Sequence, residues 1–447
     1  MGLTMNRMIH EILAAREQRV RKQRELLEKY QKPLLCFTMN IPGPDKYDRD
    51  VSIGFSVGNW LLTDALPRQK VLHFSQIREI TGCEAYYVVD LPVRQLKQIA
   101  VELEDIDPIG RLFDMDVLDV DGKKISREDL GYPRRKCLLC DEDAVVCARS
   151  RSHELSQLQH RTGFLLYVAV REEMCEYIAS RAYFALNEEV STTPKPGLVD
   201  RNNRGAHRDM GVKHFFASAN ALRPFFFKFA EAGFLTRDDI PQETFRQIRS
   251  IGMEAEKAML SATGGVNTHK GAIFSMGLCC AAAGRLAPEE WTTQSLLNEC
   301  AAMTKGIVAR DFADITAETA KTPGERIYAQ HGITGVRGQA EAGFPAVLEV
   351  GLPLLKEGLS KGLSLNDAGC AVLLHLLANT DDTNLIHRSD RQTQLQVKAQ
   401  VTELLKEDPF PASRQIEVLD ARFIDQNLSP GGSADLLALT YFLYLLT

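Results

Sequence analysis

The 447-residue chain has no long apolar run, no excess of basic charge, no Pro/Gly-rich linker and no internal repeat or low-complexity tract. Each absence removes a class. The longest apolar stretch, Leu436 to Leu446, is shorter than the roughly 20 residues that cross a bilayer, so it reads as a buried terminal helix and no membrane partner is expected. A net charge of −6 argues against a nucleic-acid binder, which is usually basic. The opening MGLTMNRMIHEILAAREQRV is charged too early for a secretory h-region. Asn6 stands where a myristoylation motif needs Ser or Thr. Ten cysteines without a secretory signal point to reduced thiols in a cytoplasm. What is present is ordinary for a soluble globular protein, 45% hydrophobic and 25% charged residues. The length suggests two to three domains.

The pattern changes near residue 170. A charged helix, Asn6 to Tyr30, comes first. Gln31 to Ile41 reads as a strand, Val51 to Leu66 as a helix, Val71 to Ile80 and Ala85 to Leu91 as strands, Val93 to Glu104 as a helix and Arg111 to Val120 as a strand. The order β-α-β-β-α-β is the split βαβ, ferredoxin-like pattern. Beyond it only helical spacing is found: Glu172–Leu186, Val212–Phe234, Pro241–Ala262, Ala272–Gly284, Pro288–Val308, Glu341–Leu355, Leu365–Leu377, Gln392–Glu407 and Ala434–Leu446. The expected fold class is therefore multidomain, an α+β domain over 1–170 and an all-α domain over 171–447. Ser152 to Tyr177 has no breaker cluster and reads as continuous helix across the junction.

Polar islands interrupt the helical half. Glu188 to Met210, EEVSTTPKPGLVDRNNRGAHRDM, has no sustained helical or strand period. Pro194 and Pro196 stiffen it, and Gly197 and Gly205 free it. Long polar loops in apolar surroundings are more often functional than decorative. The later islands are Asn267–Gly271 (NTHKG), His331–Gly338 (HGITGVRG), Asp381–Arg388 (DDTNLIHR) and Ser429–Ser433 (SPGGS). Lys195, Arg201, Arg204, Lys270, Arg337 and Arg388 are of the type that neutralises phosphates, with Asn384 a further substrate contact. Glu189, Asp200, Asp209, Asp381 and Asp382 can hold Mg²⁺ or act as a base, and His207, His269 and His331 titrate near neutrality. A structural reading stands beside each: Asp381 and Asp382, for example, suit the N-cap of a short helix.

In the first half, Asp114 and Asp116 fall two apart on an expected strand and so share a face. Paired carboxylates there suit Mg²⁺, Arg111 is placed to add a phosphate contact, and Asp119 is a weaker candidate. An isolated D-x-D is more often a solvated acidic strand face, and here its context shifts the reading. Cys137, Cys140, Cys147 and His153 offer zinc-ligand types, with a knuckle-like C-x₂-C start but an irregular second half. The alternative is a set of reduced, partly buried thiols. Arg16 to Arg24 is a basic helix face, suited to solvent or to an acidic carrier or polyphosphate.

Two resemblances follow from these motifs. Over Arg171 to Thr447, PKPGLVD, GAHRDM and the later islands recur in the order of the triphosphoribosyl-dephospho-coenzyme A synthase family of citrate lyase cofactor biosynthesis. Over residues 8 to 165, Asn40–Pro44 (NIPGP), Gly110–Asp114 (GRLFD) and Arg135–Cys140 (RKCLLC) look like the apo-citrate lyase phosphoribosyl-dephospho-coenzyme A transferase family. Together they imply a bifunctional transferase. ATP and 3′-dephospho-coenzyme A give a triphosphoribosyl product and adenine. The phosphoribosyl-dephospho-coenzyme A group then passes to a Ser of the citrate lyase acyl carrier subunit, with release of pyrophosphate. The resemblance implies Mg²⁺ at Asp114 and Asp116, and Glu189 and Asp382 are candidates for a further Mg²⁺. His207, Asp209, His269 and Asp381 are the catalytic candidates of the helical half. The same chemistry serving malonate decarboxylase, and a non-enzymatic ATP-binding, metal-containing sensor, are the rival readings.

Overall fold

The structure is a computed structural model that describes residues 2–106 and 108–447, with residues 2–10 given as backbone only. The chain divides into two compact units, Met1–Met174 and Cys175–Thr447.

The first unit is built on a five-stranded antiparallel sheet: β1 (Leu34–Met39), β2 (Val71–Glu79), β3 (Gly82–Val89), β4 (Phe113–Leu118) and β5 (Lys124–Ile125). The strand order is β2-β3-β1-β4-β5. Helices α1 (Gly2–Tyr30), α2 (Arg49–Ala65) and α3 (Val93–Glu104) accompany it, and α4 (Ala144–Ser150) follows. Strand β1 is central and buried on both faces, so it reads as a continuous apolar run rather than an alternating one. Its Leu34 and Cys36 pack with Tyr86, Val88 and Leu118 beneath Leu26 and Leu27 of α1. Phe37, on the opposite face, stacks on Phe55 of α2 at 5.0 Å and meets Phe113 edge-on at 5.2 Å. The two-residue β5 was not foreseen. It is too short to show a strand period.

Helix α5 (Leu155–Ser191) contains the point where the two units meet in sequence. The second unit continues with α6 (Val212–Leu235), α7 (Pro241–Ala262), α8 (Lys270–Arg285), α9 (Thr293–Thr304), α10 (Ile307–Asp311), α11 (Pro323–His331) and α12 (Gly335–Glu341). Then come α13 (Leu352–Ser360), α14 (Leu365–Asn379), α15 (Thr383–Arg388), α16 (Arg391–Glu407), α17 (Ser413–Asp425) and α18 (Gly431–Leu446). No strand is found among the described residues after Ile125. Helices α8, α14 and α18 are apolar over nearly all their surface, as central helices must be. No helix of the described residues is long and apolar enough to cross a membrane.

Three helical expectations need correction. Pro288–Val308 is not one helix. A 3₁₀ turn at Pro288–Glu290, α9 and α10 share that span, and the break falls at Gly306, whose φ of 76° is left-handed. Glu341–Leu355 is also divided: Gly343 and Phe344 are left-handed, Pro345 follows, and a π turn at Ala346–Gly351 leads into α13. The polar segment from Glu188 is helical as far as Ser191, the end of α5.

Candidate active sites

In the first unit the register places the acidic residues. Thr38 on β1 lies opposite Asp114 on one side and Glu84 on the other; Cys36 lies opposite Asp116 and Tyr86. Cross-strand partners project from the same face. One face of the sheet therefore carries Glu84, Asp114 and Asp116. Glu84 is neutralised by Arg19 of α1, which donates from Nε at 2.8 Å. Asp116 pairs with Lys124 of β5. Asp114 is open at the surface, yet packed protein around its carboxyl and the adjacent Asp116 push its pKa above the usual carboxylate range. Two carboxylates on one face, one with its charged form disfavoured by burial and by the other, are a donor set that suits a divalent ion. Lys97, Lys124 and Arg135 already offset part of its charge.

Arg111 is engaged elsewhere. Its Nη2 donates to the carbonyls of Lys136 at 2.9 Å and Cys137 at 2.8 Å. Arg135 reaches back to the carbonyls of Phe113, Gly110 and Arg111 at 2.6, 3.0 and 3.0 Å. The two arginines thus strap the segment around Cys137 to the turn that delivers Asp114.

In the second unit the polar islands line one cavity of about 1670 Å³. A pocket for a single small ligand usually holds about 300–1,000 Å³, so this one has room for two. His207, Asp209, His269, Lys270, Asp381, Asn384, Arg388, Lys195 and Glu189 all contribute to its wall. The islands are anchored to one another. Gly197, at φ 68°, approaches the Leu428 carbonyl so closely that a Cβ would overlap it. Its N–H donates to Asp420 of α17 at 2.8 Å, and Asn203 Nδ2 donates to the same carboxylate at 2.7 Å. Asp200 accepts from the backbone of Lys195, Asn202 and Asn203, so it shapes the loop.

His207 sits between Arg388 and Ser429. Arg388 Nη1 lies 3.2 Å from Nδ1 and Ser429 Oγ 2.9 Å from Nε2. A guanidinium only donates, so Nδ1 accepts and Nε2 carries the proton. Burial, then the Arg388 charge, lowers the His207 pKa. Neutral imidazole is its resting form. His269 precedes the first turn of α8, with Nδ1 2.7 Å from Ser218 Oγ. Its Nε2 is buried without a partner among the described residues. Burial, with a contribution from Lys195, takes its pKa down to about 3.

Three carboxylates form the deepest acidic cluster. Glu189 pairs with Lys195, which is only 1% exposed. Asp382 caps α15 through Asn384 N and Leu385 N and accepts from Ser433 N at 2.7 Å and Ser433 Oγ at 2.9 Å. Asp435, just past the first turn of α18, lines the cavity. Burial, then Glu189 and Asp382, holds its pKa well above the carboxylate range. Asp435 is absent from the sequence-based candidates. Its signal was a single carboxylate inside an otherwise apolar terminal run.

Several candidates are exposed or already paired with other side chains. Arg201 and Arg204 are exposed and do not line the cavity. Arg337 is held by Asp311 at 2.8 Å, and Lys270 by Glu256 at 2.5 Å. Asp381 faces Arg391 at 2.7 Å and Lys398 at 3.4 Å; burial raises its pKa, but these ion pairs leave it below the ordinary value.

Each unit thus carries a candidate site of its own, a carboxylate pair on a sheet face in the first and a large polar cavity in the second, as in an enzyme of two units. Residues 175–447 match the family model described as ATP:dephospho-CoA triphosphoribosyl transferase. Residues 7–166 match that of apo-citrate lyase phosphoribosyl-dephospho-CoA transferase. The chain is 37% identical to Protein CitXG of Haemophilus influenzae, over 96% of this chain and 94% of that protein. It is 34% identical to Protein CitXG of Leuconostoc mesenteroides, over 94% and 95%. It is 45% identical to a probable 2-(5''-triphosphoribosyl)-3'-dephosphocoenzyme-A synthase of Pectobacterium carotovorum, over 60% of this chain and 88% of that protein. The chain belongs to the triphosphoribosyl-dephospho-CoA synthase family, in the bifunctional form fused to an apo-citrate lyase phosphoribosyl-dephospho-CoA transferase.

Proposed function

We propose that the helical unit, residues 171–447, joins C1′ of the ATP ribose to the 2′-hydroxyl of 3′-dephospho-coenzyme A. The C1′–O bond forms as the C1′–N9 bond to adenine breaks, and the triphosphate stays on the ribose. An α linkage made from a β-nucleotide requires inversion in a single displacement, with a base on the hydroxyl and an acid on the leaving base. The observation that carries this reading is the convergence of the separated islands on one cavity with room for two ligands.

Asp209 is the candidate base: it is an exposed carboxylate at the cavity beside His207. Asp435, whose pKa is raised well above the carboxylate range by burial and by its acidic neighbours, is the candidate acid for adenine. Protonated carboxyls serve this purpose in other sites. His269 Nε2 offers a neutral hydrogen-bonding group to the nucleotide. Lys270 and Arg388, with the N-terminal turns of α8 and α18 at the cavity, suit the triphosphate. The surroundings of Glu189 and Asp382 favour a structural role over Mg²⁺ binding.

The α+β unit, residues 1–170, is proposed to form a phosphodiester between the carrier Ser Oγ and the α-phosphorus, with pyrophosphate leaving. Its strand order, with α2 and α3 as crossovers, supports the ferredoxin-like split βαβ reading. Asp114 and Asp116 would hold Mg²⁺, which when bound neutralises charge on the polyphosphate. Lys124, close to both, is placed to contact the departing pyrophosphate. Incubating the protein with ATP and dephospho-coenzyme A, and following adenine by chromatography, tests the first step. A malonate decarboxylase carrier supplied in place of the citrate lyase subunit tests the choice of partner.

A further inference from the structure

The stretch between β4 and α5 is ordered without a hydrophobic core. From Leu118 to Leu165 the only buried apolar side chains between those two leucines are Cys137 and Cys147. Leu139, Val145, Val146 and Leu155 are exposed. Some other interaction must hold this segment, since a short span with no apolar burial cannot offset its conformational entropy.

The backbone brings four metal-ligating side chains together. A bridge between Lys136 and Asp143 closes the first loop, with Cys137 N donating to Glu142 O at 2.8 Å. Cys137 and Cys140 stand three apart in this loop, a Cys-x₂-Cys spacing. Asp143 caps α4 through Val145 N at 2.8 Å, which sets Cys147 facing the loop. Arg151 turns the chain in a left-handed conformation at φ 50°, and His153 returns to the group. The three sulfurs and an imidazole nitrogen all lie within 4.8 Å of one another. Cys140 Sγ is 3.5 Å from Cys147 Sγ and 3.2 Å from His153 Nε2. A disulfide would place the sulfurs at about 2.05 Å. Tetrahedral zinc with bonds of about 2.3 Å separates its sulfurs by about 3.8 Å.

We propose that Cys137, Cys140, Cys147 and His153 form a structural tetrahedral zinc site that serves as the core of residues 119–154. Its four protein ligands close the coordination sphere, so the metal binds no substrate. Binding displaces the thiol protons to solvent. Through Arg111 and Arg135, which strap this segment to Gly110–Phe113, the site also steadies the turn leading to Asp114.

The test is metal analysis of the full chain purified from zinc-supplemented medium. About one zinc per chain is expected. Replacing zinc with cobalt should give the intense visible absorption of a tetrahedral thiolate complex. The variants Cys140→Ser and Cys147→Ser should lose the metal, while His160→Ala, which alters a neighbouring histidine beside Leu139 and His153, should retain it. Metal removal should expose residues 119–154 to limited proteolysis. A metal-free wild-type chain whose cobalt spectrum shows no tetrahedral thiolate band overturns the proposal, even if the variants fail to fold. Two thiols missing from the ten on titration of the denatured chain would show a disulfide and overturn it as well.

Discussion

Gly271 and Asp435 are in such close contact that a methyl group at position 271 would overlap the Asp435 carboxylate. A residue of the Asn267–Gly271 island thus makes the space for a buried acid on the last helix. Gly271→Ala should displace that acid and reduce adenine release. Asp435→Asn keeps the shape and removes the ionisable group. General acid catalysis contributes about 10²–10⁴-fold, so adenine release should fall by that factor with ATP affinity largely retained. A change in affinity alone would remove Asp435 from the chemistry.

His269 links pH to stability. Its folded pKa of about 3 lies below its ordinary 6.5, so the unfolded chain binds the extra proton. Its contribution is fully present above about pH 6.5 and is lost as pH falls towards 3, at up to about 1.4 kcal/mol per pH unit. The difference in urea midpoint between wild type and His269→Asn should shrink across that window. A difference independent of pH would show that the imidazole is not neutral and buried in the folded chain.

Lys195 was read from the sequence as a phosphate ligand, whereas the structure pairs it with Glu189 in the interior. Removing one member of a buried pair costs about 3–5 kcal/mol. Lys195→Ala should therefore lower unfolding stability by that amount. Unchanged stability with weakened ATP binding would return Lys195 to the phosphate.

Asp116→Asn should abolish modification of the carrier while leaving adenine release intact, because it removes charge only from the sheet face. Carrier transfer at the wild-type rate would refute the role of the carboxylate pair.

Helices with unbroken 3.6-residue spacing were legible in the sequence: Val93–Glu104 and Pro241–Ala262 match from end to end. The misread spans are those where apolar spacing continues through a backbone break, at Gly306 and at Gly343–Pro345. The polar islands were visible because burial could not explain them. Their partners were not. The pairing of Asp116 with Lys124 depends on a two-residue strand, and the Arg19–Glu84 contact joins residues far apart in the chain. Asp435 was hidden because hydrophobic periodicity assigns a role to the helix, and a single polar position within it carries no period of its own.

The most direct test of the bifunctional account is adenine release from ATP by the wild-type chain, measured with and without 3′-dephospho-coenzyme A. Release that requires dephospho-coenzyme A is the expected result. A chain that binds ATP but releases no adenine when both substrates are present would contradict the account and favour the sensor reading.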